Sequence, residues 1–461
     1  MNNNSDNGLS RRLRLFPVTN IVIANMIGTG IFTTTGLLMM GLNNPLLMLL
    51  LWVGGGLLAM CGALCYSELG AAMPQAGGEY IFLSKLFHPR YGFLSGWVSF
   101  LVGFSAPIAL SSLGCSEYLA GAFPRLFEWG NPELLKKCLS ILIIVMFALI
   151  HMRGIDFGAR VQNYLTLLKV LLIVALVAAG FSLGKGSLGN LFQGGGIEPG
   201  FAGWKTIGLS LMWIMFAYSG WNAAVYIGSE IRDPERTLPL SLIRGTGIVI
   251  ALYFCLNLLY IFAVPAEEMK GVIDIGRLAA GNMFGRSLES LVSVLISFAL
   301  FSSISAFIIL GPRVCYSMAR DGYFFKMAAE VHPVFRVPTK SIILQCLIAI
   351  IMVISGTFDQ ILTYMGFSLG IFPILAVIGV FKLRKTGKSS YVMPLYPVVP
   401  IVFVLASVSI LILAYFERPV ESSIALLTVM TGIPIYSIFN RKKHKSIRDS
   451  HHPYPERGSR R

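Results

Sequence analysis

The stretch Asn25-Met26-Ile27-Gly28-Thr29-Gly30-Ile31-Phe32 lies inside the first long apolar segment of the chain. Two glycines flank a threonine, and each weakens a helix by roughly 1 kcal/mol relative to alanine. In lipid, every backbone group that such a break frees must find a partner within the protein. A membrane helix that opens here has backbone donors and acceptors to offer a ligand.

Composition places the segment in a membrane. The 461 residues are 55% hydrophobic and 13% charged, with a mean hydropathy of +0.72, far from the balance of soluble domains. Apolar stretches of spanning length, about 17 to 25 residues, recur from Pro17 to Arg441. They number twelve: 18–42, 46–70, 92–118, 134–152, 159–183, 203–230, 241–264, 286–312, 341–356, 360–382, 396–416 and 421–440. The loops are short, so the expected fold class is an all-α membrane protein with no soluble enzyme domain.

Of the 37 Lys and Arg residues, 27 fall in the N-terminal tail, the even-numbered loops and the C-terminal tail, nine in the odd-numbered loops, and Lys169 inside a span. By the positive-inside rule both termini are expected in the cytoplasm. The same asymmetry explains most of the net charge of +15. The basic ends, Arg11-Arg12 and Arg441 to Lys445, read as topology determinants and anchors to lipid headgroups, not as a nucleic-acid surface. The first nine residues are polar and the following apolar segment is too long for a signal peptide. The seven cysteines lie mostly within spans, without C-x-x-C pairs or His clusters, so no disulfide framework, metal or cofactor is expected.

The sixth span carries a second interruption, Phe216-Ala217-Tyr218-Ser219-Gly220-Trp221-Asn222. A Ser-Gly pair between aromatics bends or opens a helix. It stands five spans after the first, the interval expected when spans 1 to 5 and 6 to 10 are inverted repeats with broken helices at a midplane site. That division gives an N-terminal tail at 1–16, repeats at 17–183 and 201–383, added helices at 394–440 and a basic tail at 441–461.

Where the first helix restarts, the amides of Thr29, Gly30 and Ile31 lack intrahelical acceptors, and the positive end of the dipole suits a carboxylate. Carbonyls around Asn25 and Met26, and those of Phe216, Ala217 and Tyr218, lack donors and suit an ammonium. Together they would receive a zwitterion. The alternative is that both glycine sites are close packing contacts between helices, as small-residue patterns often are.

These residues carry a resemblance. Ile27 to Phe32 resembles the first-helix signature of the amino acid–polyamine–organocation superfamily. Tyr66-Ser67-Glu68-Leu69-Gly70, Pro74 and Gly77-Gly78-Glu79-Tyr80 resemble its L-amino acid transporter branch, as do Arg160 to Asn163, Phe216 to Asn222, Glu230 to Pro234 and Arg313 to Gly322. Bacterial serine/threonine exchangers look nearest. The resemblance implies twelve helices with a five-plus-five inverted repeat, helices 1 and 6 discontinuous, and sodium-independent amino acid transport by alternating access. By position, it implies that Thr29 and Gly30 hold the substrate carboxylate, with Gly28 and Ile31 as neighbouring substrate-binding positions. It gives the amine to Met26 with the Phe216 and Ala217 carbonyls, and makes Phe216 an aromatic gate. Ser219 and Asn222 match pocket-lining positions, and Ser219, a glycine in some relatives, favours small or hydroxylated neutral substrates. Animal members join a partner through a cysteine in the outer loop between spans 3 and 4. The loop from Ala120 to Glu133 has none, so no disulfide-linked heavy subunit is expected.

Lys169 stands well inside the fifth span, where a charge costs at least about 2.5 to 3.5 kcal/mol. Such a group faces the protein interior, titrates, or reaches back to the surface. The resemblance implies that its ammonium replaces the sodium ion of related carriers. The expected partners are the Gly28 carbonyl and the hydroxyls of Ser302, Ser303 or Ser305. Glu68, Glu79 and Glu230 read as structural residues at span ends, Glu230 in a cluster with Arg232, Asp233 and Arg236. Glu117 is expected to reach interfacial water, and Tyr364 is a further pocket candidate. A membrane-embedded enzyme would need acid pairs or an activated nucleophile in the spans, and none is seen. A non-transporting sensor would need a signalling domain, for which the tail after Asn440 leaves no room. A proton-coupled symporter or an exporter of the same fold shares every motif quoted.

Overall fold

Helix follows apolar content through this chain and stops where glycine, proline or a polar cap intervenes. The computed structural model describes residues 11–450 except Arg12, Trp129, Gly154, Ile197, Arg336 and 388–390. The expected tail segments before Arg11 and after Ser450, and Arg12 with them, lie outside the described residues, as does the side chain of Arg160.

The first apolar segment forms two helices, α1 (Leu15–Met26) and α2 (Thr29–Leu42), with Ile27 (φ −74°, ψ 90°) and Gly28 (φ −122°, ψ −157°) extended between them. α3 (Pro45–Ala72) starts with the Asn44 side chain accepting from the Leu47 amide at 2.9 Å and proline in its first turn, both favourable at a helix start. A short loop helix, α4 (Glu79–Leu86), precedes α5 (Pro89–Val98), a π-helical turn at Ser99–Gly103, and α6 (Ser105–Ala122). Pro107 has no N–H to offer the Gly103 carbonyl, and the Ser105 hydroxyl donates to the Phe100 carbonyl at 3.0 Å. Those two features loosen the helical ladder at this turn.

α7 (Pro124–Phe127), α8 (Pro132–Met152) and α9 (Ile155–Leu183) follow. α10 (Phe201–Ala217) ends at the second break, and a 3₁₀ segment, Ala223–Glu230, continues from it. Then come α11 (Pro234–Ala263), α12 (Ala266–Met269), α13 (Ile275–Phe284) and α14 (Arg286–Arg320). α15 (Thr339–Ser355), α16 (Phe358–Lys385), α17 (Val398–Glu417) and α18 (Pro419–Ser450) complete the chain.

Among the described residues, ten helical segments are long and apolar enough to cross a membrane. α10 and α15, at 17 residues each, are shorter. The sixth span was expected to run to residue 230; its helix stops at Ala217 because Gly220 takes φ +98°, a conformation that interrupts the helical ladder. α11 begins seven residues before the expected start, with Pro234 in its first turn. α18 runs through the basic stretch after Asn440 because no glycine or proline stops it there.

α2 is buried from Thr29 to Met39. α11 packs along α3 and α1, α14 along α6 and α9, and α10 against α17 and α2. The two interrupted segments are thus central, whereas α8, α9, α17 and α18 expose large apolar side chains such as Leu142, Leu167, Leu405 and Leu427. Leu13, in the expected N-terminal tail, is tied to the segment after the second break: its amide donates to the Glu230 carbonyl at 2.9 Å, and its carbonyl accepts from the Arg232 amide at 2.8 Å.

Candidate functional site

The two breaks touch. A β-carbon on Gly30 would lie 2.5 Å from both the Cα and the Cβ of Ala217, and one on Gly220 would lie 2.7 Å from the Asn25 carbonyl carbon. Each break therefore places a glycine against the backbone of the other. Between them lies a cavity of about 10 Å³, bordered by Gly28, Thr29, Ala217 and Ser219, with room for about one water. A second cavity of about 120 Å³ adjoins it, sharing Asn25, Phe216, Ser219 and Phe307.

The donor side lies at the start of α2. α2 begins at Thr29, so the amides of Thr29, Gly30 and Ile31 stand in a first turn without acceptors four residues back; Thr29 is buried and Ile31 packs its side chain into the core. The acceptor side differs. Buried Tyr253, on α11, places its hydroxyl 2.5 Å from the Met26 carbonyl and 3.0 Å from that of Ala217, donating between the two breaks. The Phe216 carbonyl accepts from the Ser219 amide at 2.8 Å. The Tyr253 hydroxyl carries one hydrogen, so it serves the Met26 and Ala217 carbonyls one at a time, while the Phe216 carbonyl keeps its second lone pair. Tyr253 was missed because a mid-span tyrosine looks like any large core residue.

Lys169 is fully buried. Its ammonium donates to the Ile27 carbonyl, to Ser303 Oγ at 3.0 Å and to the Ala24 carbonyl at 3.3 Å, and Ser303 Oγ also donates to the Ile27 carbonyl at 3.1 Å. The expected carbonyl was that of Gly28; the observed one is a residue earlier, because Ile27 is the first extended residue after α1. Ser302 and Ser305 are not partners. Ser302 lies 3.3 Å from both Gln162 and Thr166, and Ser305 lies 2.9 Å from His151. Successive helical residues turn by about 100°, so neither shares the Ser303 face. Tyr364 bonds Thr428 on α18 at 2.8 Å.

Ser219 and Asn222 both line the larger cavity, but the Asn222 amide is engaged, donating to Glu79 Oε1 at 2.9 Å. Asn25 was not expected to contribute a side chain. Its Nδ2 donates to the Ile21 carbonyl at 2.8 Å, leaving a buried Oδ1 without a partner beside both cavities. The acids read as structural residues at span ends all make side-chain contacts. Glu79 is buried, accepting from the Tyr66 hydroxyl at 2.8 Å. Glu68 pairs with Arg384 at 2.8 and 2.7 Å and accepts from the Met393 amide at 3.0 Å. Glu230 pairs with Arg313 at 2.9 Å, while Arg232 and Asp233 sit 4.0 Å apart and exposed. Glu117 pairs with Lys136 at 2.9 Å while its side chain stays 33% exposed.

A family model described as amino acid permease matches residues 13–439. Among curated relatives, the serine/threonine exchanger SteT of Bacillus subtilis (strain 168) is 29% identical over 450 residues, covering 96% of this chain and 99% of SteT. The human b(0,+)-type amino acid transporter 1 is 27% identical over 437 residues, covering 94% and 88% of the two chains. The human cystine/glutamate transporter is 26% identical over 439 residues, covering 94% and 85%.

Proposed function

The chain belongs to the amino acid permease family, in the L-amino acid transporter branch of its superfamily, and we propose that it is a sodium-independent exchanger of small or neutral L-amino acids. It is a multi-pass membrane protein of amino acid transport and not an enzyme. The finer reading rests on one observation above all: the contact of the two breaks sets the free amides of α2 beside the carbonyls that end α1 and α10.

In this reading Gly28, Thr29, Gly30 and Ile31 form the carboxylate end of the site. Met26, Phe216 and Ala217 offer the remaining carbonyl lone pairs to the ammonium. Phe216 closes over the substrate, and Ser219 and Asn222 border its side chain. Lys169 replaces a coupling sodium: three oxygens, those of Ile27, Ala24 and Ser303, converge on its ammonium, and a fixed cation there leaves no demand for a mobile one. Twelve spans form two inverted repeats, 17–183 and 201–383, with 394–440 added outside them. The repeats alternate access around the site. The protein sits in a bacterial inner membrane with cytoplasmic termini and without a disulfide-linked subunit, since Ala120 to Glu133 contains no cysteine.

Uptake of labelled L-serine into proteoliposomes, preloaded with unlabelled amino acids or empty and without sodium, tests this reading. Uptake that requires preload is the expected result. Absence of uptake across neutral, cationic and acidic amino acids would overturn it.

A further inference from the structure

Among the described residues that line the 120 Å³ cavity, Glu79 is the only acid, and none is basic. It opens α4, between the second and third spans, and is 6% exposed. Its hydrogen bonds come from neutral groups on three other elements. Tyr66 on α3 and Asn222 after the second break donate to Oε1 at 2.8 and 2.9 Å, and Ser95 on α5 donates to Oε2 at 3.4 Å. Tyr226, one turn beyond Asn222, lies 3.4 Å from the Asn222 amide. The titratable groups facing Glu79 are therefore two tyrosines, Tyr66 and Tyr226, and no cation among the described residues balances its charge.

A buried carboxylate without a cation must hold several donors or take a proton. Burial pushes the Glu79 carboxyl above the usual carboxylate range, while its hydroxyl and amide donors oppose the shift. One of those donors, Asn222, belongs to the segment that restarts after the second break. If that segment separates from α3 and α4, Glu79 loses a bond that favours its ionised form.

We propose that Glu79 is a proton site that controls the release of residues 219–230 from α3 and α4 during transport. An O–H bond forms on the carboxylate with a proton from cavity water as the segment leaves, and breaks, returning the proton to water, as Asn222 comes back. Because linkage is reciprocal, protonation favours the released arrangement by as much as release favours protonation. The inference rests on the transport reading and adds a dependence on protons that the two-break site does not require.

The test follows serine exchange in preloaded proteoliposomes from about pH 5 to about pH 8. The wild type is expected to exchange faster as pH falls through one titration. Glu79→Gln, with the charge of the protonated acid, should hold the acid-side rate at every pH. Tyr66→Phe removes a donor to the carboxylate and should move the midpoint up by roughly one pH unit. A Glu79→Gln profile that follows the wild type overturns the proposal. Should that variant be inactive, a Tyr66→Phe midpoint that does not move overturns it.

If no amino acid exchanges at any pH, the transport reading fails separately, and thermal unfolding of the purified proteins decides the proton site. A carboxyl raised in the folded state contributes stability that is complete below its unfolded pKa and lost as pH rises through the folded one. The wild type should therefore lose stability relative to Glu79→Gln with rising pH; parallel curves refute the site.

Discussion

Replacing Gly30 with alanine asks whether the two breaks must touch for the carrier to hold its substrate. The added carbon would lie 2.5 Å from the Cα and Cβ of Ala217 and 3.3 Å from its amide nitrogen, whereas carbon atoms in contact sit about 3.5 to 4.0 Å apart. The obstructing atoms are backbone and a Cβ, which cannot swing aside as the end of a long side chain could. α2 and α10 must then part by roughly 1 Å, and overpacking of this kind costs about 1 to 3 kcal/mol of stability.

On the proposed reading the carboxylate is held on α2 and the ammonium partly on α10. A separation near 1 Å takes one end of the ligand beyond the hydrogen-bond range of about 2.7 to 3.2 Å. A lost bond to a charged group is worth about 1.5 to 3 kcal/mol, or about tenfold to 150-fold in affinity. Gly30→Ala should therefore raise the KM for labelled serine by at least about tenfold while the protein still inserts. Gly54→Ala is the control: the same methyl on exposed α3 meets nothing within 4 Å and should leave KM unchanged. An unaltered KM and melting temperature in Gly30→Ala would refute the contact between the breaks as a working feature.

Two further substitutions address the groups that hold the breaks open. Lys169→Ala removes the donor shared by Ile27, Ala24 and Ser303. It should insert but exchange at least about tenfold more slowly, since charged hydrogen bonds are worth about 1.5 to 3 kcal/mol; undiminished uptake would exclude a role in transport. Tyr253→Phe keeps the ring and deletes the hydroxyl between Met26 and Ala217. Unsatisfied buried carbonyls cost about 1 to 3 kcal/mol, so serine affinity, read as the exchange KM, should weaken by about fivefold or more. A KM equal to the wild type's would mean that the tyrosine does not hold the breaks in register.

Membrane class, most spans and both breaks were legible because each has a strong local signature: apolar length for a span, and Gly-x-Gly or Ser-Gly inside it for a break. Lys169 was legible because a charge in mid-span has few alternatives. Its partners were not. The choice among Ser302, Ser303 and Ser305 depends on helical phase, and one residue of error turns the side chain by about 100°. The Asn222 contact of Glu79, the Asn25 side chain and Tyr253 were not legible for another reason. Their roles lie in contacts between segments far apart in sequence: Glu79 meets Asn222, Tyr253 reaches Met26, and Asn25 packs against Gly220. Hydropathy places a segment in the membrane without saying which neighbour it will face.

On the proposed reading, the freed backbone groups at the first break decide which part of a zwitterion the site selects for. At the end of α1, the Ile23 carbonyl accepts from the Ile27 amide, that of Ala24 from Lys169 and that of Met26 from Tyr253, while the Ile27 carbonyl accepts from Lys169 and Ser303. The acceptors are thus largely satisfied by the protein itself, and a buried ammonium, Lys169, already lies among them. Across the break, the first-turn amides of α2 have no such acceptors, and the helix dipole adds positive potential there. With Lys169 supplying positive charge beneath and the amides donating above, the break is electrostatically incomplete toward an anion. On the proposed reading the substrate carboxylate is therefore its principal attachment, and the ammonium a secondary one that shares carbonyls with Tyr253. On the proposed reading, the lysine that stands in for sodium also strengthens the carboxylate end, so substrate recognition and sodium independence would depend on one side chain.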